Sequence, residues 1–255
     1  SVVSMVGHYI DSGIEDFSVE AAISKVFATE AMWNASYEAL QISGGNGFMK
    51  EFPYEMITRD ARINTIFEGT NEILRLYIAL SGMKDAGAYL KDLAKSLSGI
   101  FNEPIKGFGV LSNYAAKKLS QLTSLGRDKV DFVASALREE ATILELQTQQ
   151  LAKETETILR RHGKNIIGKQ FAMKRIADVT IDLFVGFCVL SRVTTMINDK
   201  SVEACKQEIS IAKSFVAQAK ARMEKNLKDV AQNSDEQMKE LADYIVAEGY
   251  SWDVF

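Results

Sequence analysis

Apolar residues recur at steps of three and four along most of this 255-residue chain. This is the period of an α-helix, and no run alternates apolar and polar positions as a half-buried strand does. The first two predicted helices cover residues 1–11 and about 18–42, with a stop at Gly13 and with Asp16 or Ser18 as the second N-cap. The second helix is apolar over a wide face, which predicts a helix packed inside a bundle.

The same spacing predicts further helices toward the C-terminus. Pro53 fits the first turn of a short helix over Tyr54–Arg62, and the pattern after Thr70 predicts a helix to about Met83. A seven-residue apolar repeat begins at Val130 and indicates a bundle seam. We therefore predict an all-α fold, an up-down helical bundle followed by a second helical-bundle domain. The repeat comprises Val130, Leu137, Leu144, Leu151 and Ile158, and later helices are predicted over 165–198, 202–227 and 235–248.

The helical signal weakens in the middle of the chain. We predict domains over residues 1–85 and 127–255, joined by a linker and amphipathic segment over 86–126 that includes a short helix at 86–97. An apolar stripe over residues 105–125 has two interpretations: it lies on a membrane surface as a peripheral contact, or it packs against neighbouring helices.

Charge and cysteine content narrow the function classes. The chain carries 30 Lys and Arg against 34 Asp and Glu, and its pI near 5.4 argues against nucleic-acid binding. Its two cysteines, Cys188 and Cys205, lack metal-site spacing and fit a reducing compartment. No signal or transit peptide is recognisable, and the longest apolar run, 183–190, is too short to cross a bilayer. Because a helical pattern starts at Ser1 without an initiating Met, we expect a piece of a longer protein.

The sharpest candidate for chemistry is Glu68, which precedes Gly69 and Thr70 at the start of a predicted helix. A helix N-terminus presents unpaired N–H groups that suit a phosphate or a polarised carbonyl. A carboxylate among Ile66, Phe67 and other apolar neighbours can act as a base for a difficult proton. The alternative is that Glu68 only balances the helix dipole.

Three motifs in order carry a resemblance to a known family. They are Gln41-Ile-Ser-Gly-Gly-Asn-Gly-Phe48, Arg59-Asp-Ala-Arg-Ile63 and Phe67-Glu-Gly-Thr-Asn-Glu-Ile-Leu-Arg75. With them, residues 1–85 resemble the C-terminal helical domain of acyl-CoA dehydrogenases. The remainder, especially 160–164, 178–183 and 189–192, resembles the helical extension of the very-long-chain class.

The resemblance implies an FAD enzyme that converts a long or very-long-chain acyl-CoA to the trans-2-enoyl-CoA in fatty acid β-oxidation. Glu68 is then the base that removes the α-proton, and Gly69 leaves room for the substrate. The resemblance also assigns FAD contacts, although at Glu72 many members of the family carry Gln. Those from the neighbouring subunit are Gln41, Ser43, Gly44 and Gly45, and those from the same subunit are Thr70, Asn71 and Glu72.

The same resemblance implies an electron-transfer flavoprotein as partner and a homodimer. The expected location of the protein is the cytoplasm if the source is bacterial, and the mitochondrial matrix or inner-membrane face if the source is eukaryotic. We expect this chain alone to be inactive, because the family's N-terminal helical and β domains are missing from it. The alternative is a non-catalytic helical scaffold or assembly factor that acts through the C-terminal domain.

Overall fold

A computed structural model describes residues 1–83, 130 and 132–249. Every regular element within these residues is a helix, and no strand occurs among them, as the sequence predicts. Short 3₁₀ turns at Ser135–Leu137, Gly163–Gly168 and Glu203–Cys205 precede the three longest helices of the second part. The helices are α1 Val2–Asp11, α2 Ser18–Ile42, α3 Gly45–Phe48, α4 Tyr54–Ile63, α5 over residues 71–83, α6 Arg138–His162, α7 Gln170–Asp199, α8 Lys206–Ala231 and α9 Asp235–Glu248.

Most predicted helix boundaries agree with the structure, and the differences are local. Pro53 is the N-cap of α4 and not part of its first turn. Asp16 Oδ1 accepts hydrogen bonds from the amide of Ser18 at 3.2 Å and from its hydroxyl at 2.6 Å. The N-cap of α2 is Phe17, which lies between these two residues, and no side chain caps the helix, so the prediction of Asp16 or Ser18 as N-cap is wrong. Gly13 closes α1 with a φ of 75°. Helix α3 is unforeseen, because Gly44-Gly45-Asn46-Gly47 looks like a turn in sequence.

Some predictions fall outside the described residues. They are the linker and amphipathic segment at 86–126, the helix at 86–97 and the apolar stripe at 105–125. Among the helices that are described, none is long and apolar enough to cross a membrane.

A first hydrophobic core joins the two predicted domains. Val26 of α2 and Ile78 of α5 pack in one cluster with Met173, Ile176 and Cys188 of α7, and all five side chains are at most 3% exposed. A buried apolar contact of this kind excludes water and stabilises the docking of the two parts by roughly 1.5–3 kcal/mol for each fully buried large side chain. The described halves of the chain therefore share a core.

A second core lies inside the C-terminal part, between α6, α7 and α8. The predicted seven-residue seam contributes Leu137 and Leu144, which are fully buried, while its last member, Ile158, belongs to the first core. The helix of this seam begins later than predicted, since residues 130 and 132–134 are not helical and α6 starts at Arg138. Met223 of α8 is fully buried in this core.

The second half of α2 departs from the prediction of a buried helix. Met32 and Tyr37 are nearly half exposed, and Ile42 is 83% exposed. Trp33 packs against the Arg62 guanidinium, whose carbon lies 5.1 Å from the ring centre. The apolar face predicted from the pattern therefore exists, but the described residues cover only its first half.

Glycine at position 186 sets the distance between α6 and α7. A Cβ at Gly186 would lie 2.9 Å from Leu144 Cδ1 and 3.0 Å from Cδ2, closer than ordinary packing allows. Because Leu144 is fully buried, it has little room to move away.

We expect Gly186→Ala to lower the free energy of unfolding by about 1 kcal/mol. Overpacking costs roughly 1–3 kcal/mol, and the better helix propensity of Ala returns up to about 1 kcal/mol. The matched control is Gly7→Ala in α1, where an added Cβ meets nothing within 4 Å and propensity alone should stabilise. Denaturant unfolding measures both. Equal effects at the two positions would contradict close packing at Gly186.

Candidate functional site

The loop between α4 and α5 carries Glu68 at its tip. Helix α4 ends at Ile63, and the chain turns back so that the Asn71 amide donates to the Thr65 carbonyl at 3.1 Å. Glu68 and Gly69 both have positive φ, 53° and 89°. Positive φ is costly for a residue with a Cβ, so Glu68 is held in a strained backbone conformation by the closed loop around it.

Thr70 begins α5 as its N-cap. Its hydroxyl accepts a hydrogen bond from the Ile73 amide at 3.2 Å, and its carbonyl accepts the first helical bond, from Leu74, at 2.9 Å. This is the side-chain arrangement expected of Thr at the start of a helix. Glu68 thus lies two residues before the positive end of the α5 dipole, as predicted.

The surroundings of Glu68 are more open than the apolar setting expected from sequence. Glu68 is exposed, and its apolar neighbours Ile66, Phe67 and Ile73 are 49–59% exposed. The described residues therefore supply apolar side chains beside the carboxylate without burying it.

Lys25 on α2, which is not among the site residues predicted from sequence, forms hydrogen bonds that support the Glu68 loop. Lys25 Nζ, on α2, donates to the Gly69 carbonyl and to Asn71 Oδ1, both at 2.8 Å. Burial lowers the pKa of Lys25, and the charges of Glu72 and Glu30 oppose that effect. The partners in these two contacts are separated by 44 and 46 residues in the sequence, so no local sequence pattern predicts the contacts.

Asn71 lies inside this network, not on the surface. It is 2% exposed, and its Nδ2 donates to Thr29 Oγ1 at 3.0 Å and to Glu30 Oε1 at 3.4 Å. Its side chain therefore supports the loop from within. Its predicted FAD contact stays a prediction, as do those of the intermediate Thr70 and the exposed Glu72.

Arg75 lies one helical turn beyond Asn71 and is 9% exposed. Its two terminal nitrogens donate to the two carboxylate oxygens of Glu30 at 2.7 and 2.8 Å, and its Nε donates to Asp178 Oδ1 of α7 at 2.6 Å. Burial by itself lowers the pKa of Arg75, but the hydrogen bonds and charges of Glu30 and Asp178 outweigh it and raise that pKa. Arg75, left out of the predicted site, is thus an ion-pair residue.

The other predicted cofactor residues lie at the C-terminal end of α2. Gln41 and Gly44 are exposed, and Ser43 donates its hydroxyl to the Ala39 carbonyl at 2.8 Å. A Cβ at Gly44 or Gly45 would meet nothing within 4 Å. The main chain here is accessible to a flat or phosphate-bearing ligand, so the residues present fit the role expected of them toward FAD.

Two family models match this chain in sequence. "Acyl-CoA dehydrogenase, C-terminal domain" matches residues 1–83, and "ACAD9/ACADV, C-terminal domain" matches residues 135–250. These ranges include the Glu68 loop in the first and α6 to α9 in the second.

Similar proteins agree with these two models. Very long-chain specific acyl-CoA dehydrogenase of Bos taurus is 38% identical over 94% of this chain, and the Homo sapiens protein of that name is 37% identical over 94%. The chain spans 36% of the length of each. A solved structure of an acyl-CoA dehydrogenase from Bacillus anthracis, complexed with FAD, has the same fold with a TM-score of 0.66. It is 23% identical, and the match covers 91% of this chain and 37% of that one.

The described fold is thus that of the C-terminal helical part of a flavoprotein dehydrogenase. The chain belongs to the acyl-CoA dehydrogenase family, and the two relatives named above are of the very-long-chain type.

The strain at Glu68 predicts an unusual response to glycine. We expect Glu68→Gly to be more stable than Glu68→Ala by about 1 kcal/mol, because only glycine adopts positive φ without cost. The matched control is the exposed Glu38 inside α2, where Gly should be less stable than Ala by about 1 kcal/mol. Denaturant unfolding of the four variants measures both differences. The same sign at both positions would show that Glu68 is unstrained.

Proposed function

We propose that the full-length protein containing this chain is an FAD-dependent acyl-CoA dehydrogenase that acts on long or very-long-chain acyl-CoA. The single observation that carries this proposal is the placement of Glu68. It stands at the tip of a strained, closed loop, two residues before the N-cap of α5. Strain of this kind persists where the surrounding structure holds a residue in a functional position.

In this proposal Glu68 removes the proton from the carbon next to the thioester. That proton is weakly acidic, so its removal requires stabilisation of the negative charge that develops on the thioester oxygen. The backbone N–H of Glu68 is the proposed donor to that oxygen. Gly69 presents no side chain toward the substrate, and it borders the helix N-terminus, whose dipole favours negative charge.

FAD, when bound, supplies the acceptor for the hydride that leaves the next carbon, and the product is the trans-2-enoyl-CoA. We propose that Gln41, Ser43, Gly44 and Gly45 hold the cofactor of a second subunit, which makes the enzyme a homodimer. Thr70, Asn71 and Glu72 are the proposed contacts to the cofactor of the same subunit. The open main chain at Gly44 and Gly45 supports this assignment.

The wider setting follows from the same proposal. Fatty acid β-oxidation is the process, and an electron-transfer flavoprotein accepts the electrons. The location is mitochondrial if the source is eukaryotic, which the mitochondrial relatives support, and cytoplasmic if it is bacterial.

The proposal is tested on the full-length protein loaded with FAD. Long-chain acyl-CoA added without oxygen should bleach the visible flavin band, and Glu68→Gln should slow bleaching by about 10²- to 10⁴-fold, the usual contribution of a general base. Asp60→Asn is the matched control, because it removes an exposed carboxylate of α4 that has no proposed role in the site, and it should leave bleaching fast.

A flavin-loaded protein that keeps its colour with every acyl chain length would overturn the catalytic proposal. The scaffold or assembly-factor alternative would then take its place.

A separate expectation concerns the 255-residue chain by itself. We expect it to be inactive and to bind FAD weakly, because Ile42 and Phe48, next to the proposed cofactor residues, are more than 80% exposed and lack a partner surface in the described residues. Equilibrium dialysis of the purified chain against FAD measures this. Tight stoichiometric flavin would contradict it.

A further inference from the structure

The C-terminal part contacts the Glu68 loop through a continuous polar network. Its first link is Asp178 of α7, whose Oδ1 accepts from Arg75 Nε at 2.6 Å. Its second link is Glu30, whose carboxylate accepts hydrogen bonds from both terminal nitrogens of Arg75. Its third link is Asn71. The side-chain Nδ2 of Asn71 donates to Glu30, and the backbone N–H of Asn71 donates to the Thr65 carbonyl and closes the loop.

We propose that Asp178 is a positioning residue for the loop that carries Glu68. It holds Arg75 in the one orientation that lets the guanidinium bind both oxygens of Glu30, and Glu30 in turn keeps Asn71 beneath the loop. The C-terminal extension thereby takes part in setting the position of Glu68. This inference concerns loop geometry, and only its kinetic consequence rests on the proposed function.

Burial increases the effect of losing the contact between Arg75 and Asp178. The Arg75 side chain is 11% exposed and that of Asp178 is 17% exposed, so water replaces a lost partner poorly. The bidentate pair with Glu30 is selective in angle as well as in distance. If Asp178 no longer fixes Nε, the guanidinium is free to rotate, and the Glu30 carboxylate beside Asn71 loses its defined position.

The same helix supplies a matched control. Asp182 lies one turn beyond Asp178, is more deeply buried, and pairs with Arg222 of α8 at 2.7 Å, inside the extension. Lys174 donates to the other oxygen of Asp178 at 3.0 Å and is half exposed. Asp182 and Lys174 therefore share the location of Asp178 without contacting Arg75 in the network described.

The experiment uses the full-length FAD-loaded protein with Asp178→Asn, Asp182→Asn and Lys174→Met. Hydrogen exchange is followed in peptides that cover residues 64–71. We expect Asp178→Asn to speed exchange there by about 2- to 30-fold, the range for coupling through such networks. The two controls should leave that segment unchanged, even where Asp182→Asn lowers the melting temperature.

A kinetic arm then connects the loop to chemistry. Asp178→Asn should slow flavin reduction by saturating acyl-CoA by a similar factor with little change in substrate affinity. Unchanged exchange at 64–71 in Asp178→Asn overturns the inference, and so does an equal change in Asp182→Asn, because that indicates general loosening. Faster exchange in Asp178→Asn alone supports the inference even if acyl-CoA never reduces the flavin, a result that overturns only the proposed function.

Discussion

The buried guanidinium of Arg75 is the constraint around which the two parts of the chain are arranged. A charge taken out of water is costly unless its hydrogen bonds are satisfied. Here Glu30 from α2 and Asp178 from α7 satisfy three nitrogens of one side chain. Since the two acids come from the two predicted domains, the pairing is complete only when these two parts of the chain pack together. Apolar packing around Ile78 and Met173 supplies the stability, and the ion pairs supply the orientation.

The strained Glu68 loop depends on this support. A positive φ at a glutamate costs about 1–2 kcal/mol, which the loop itself does not recover. Lys25 and Asn71 recover part of it by binding the loop from α2 and from the start of α5. The backbone of the loop that carries the candidate base is therefore held in place, while the side chain of the base stays accessible. Rigid support under an accessible carboxylate suits proton abstraction, where small displacements of the base reduce the rate strongly.

The helices and their faces were largely predictable from sequence, because helix formation depends on local spacing. The glycine stop at Gly13 and the seam through Leu137 and Leu144 depend on residues close together in the chain. The failures have physical reasons. The period shows that α2 has an apolar face along its whole length, but it cannot show that Ile42 lies exposed. The helix predicted from residue 165 begins only at Gln170, because residues Gly163–Gly168 form a 3₁₀ turn.

The sequence by itself determined the all-helical class, the family motifs and the position of Glu68 before a helix N-terminus. These follow from local period, residue type and order. Only the tertiary structure decided that Lys25 lies under the loop, that Asn71 is buried, and that Arg75 joins α2 to α7. Arg75 and Asp178 are 103 residues apart in the chain. The packing of whole helices determines which residues form such a pair. The sequence around one charged residue therefore does not predict its distant partner.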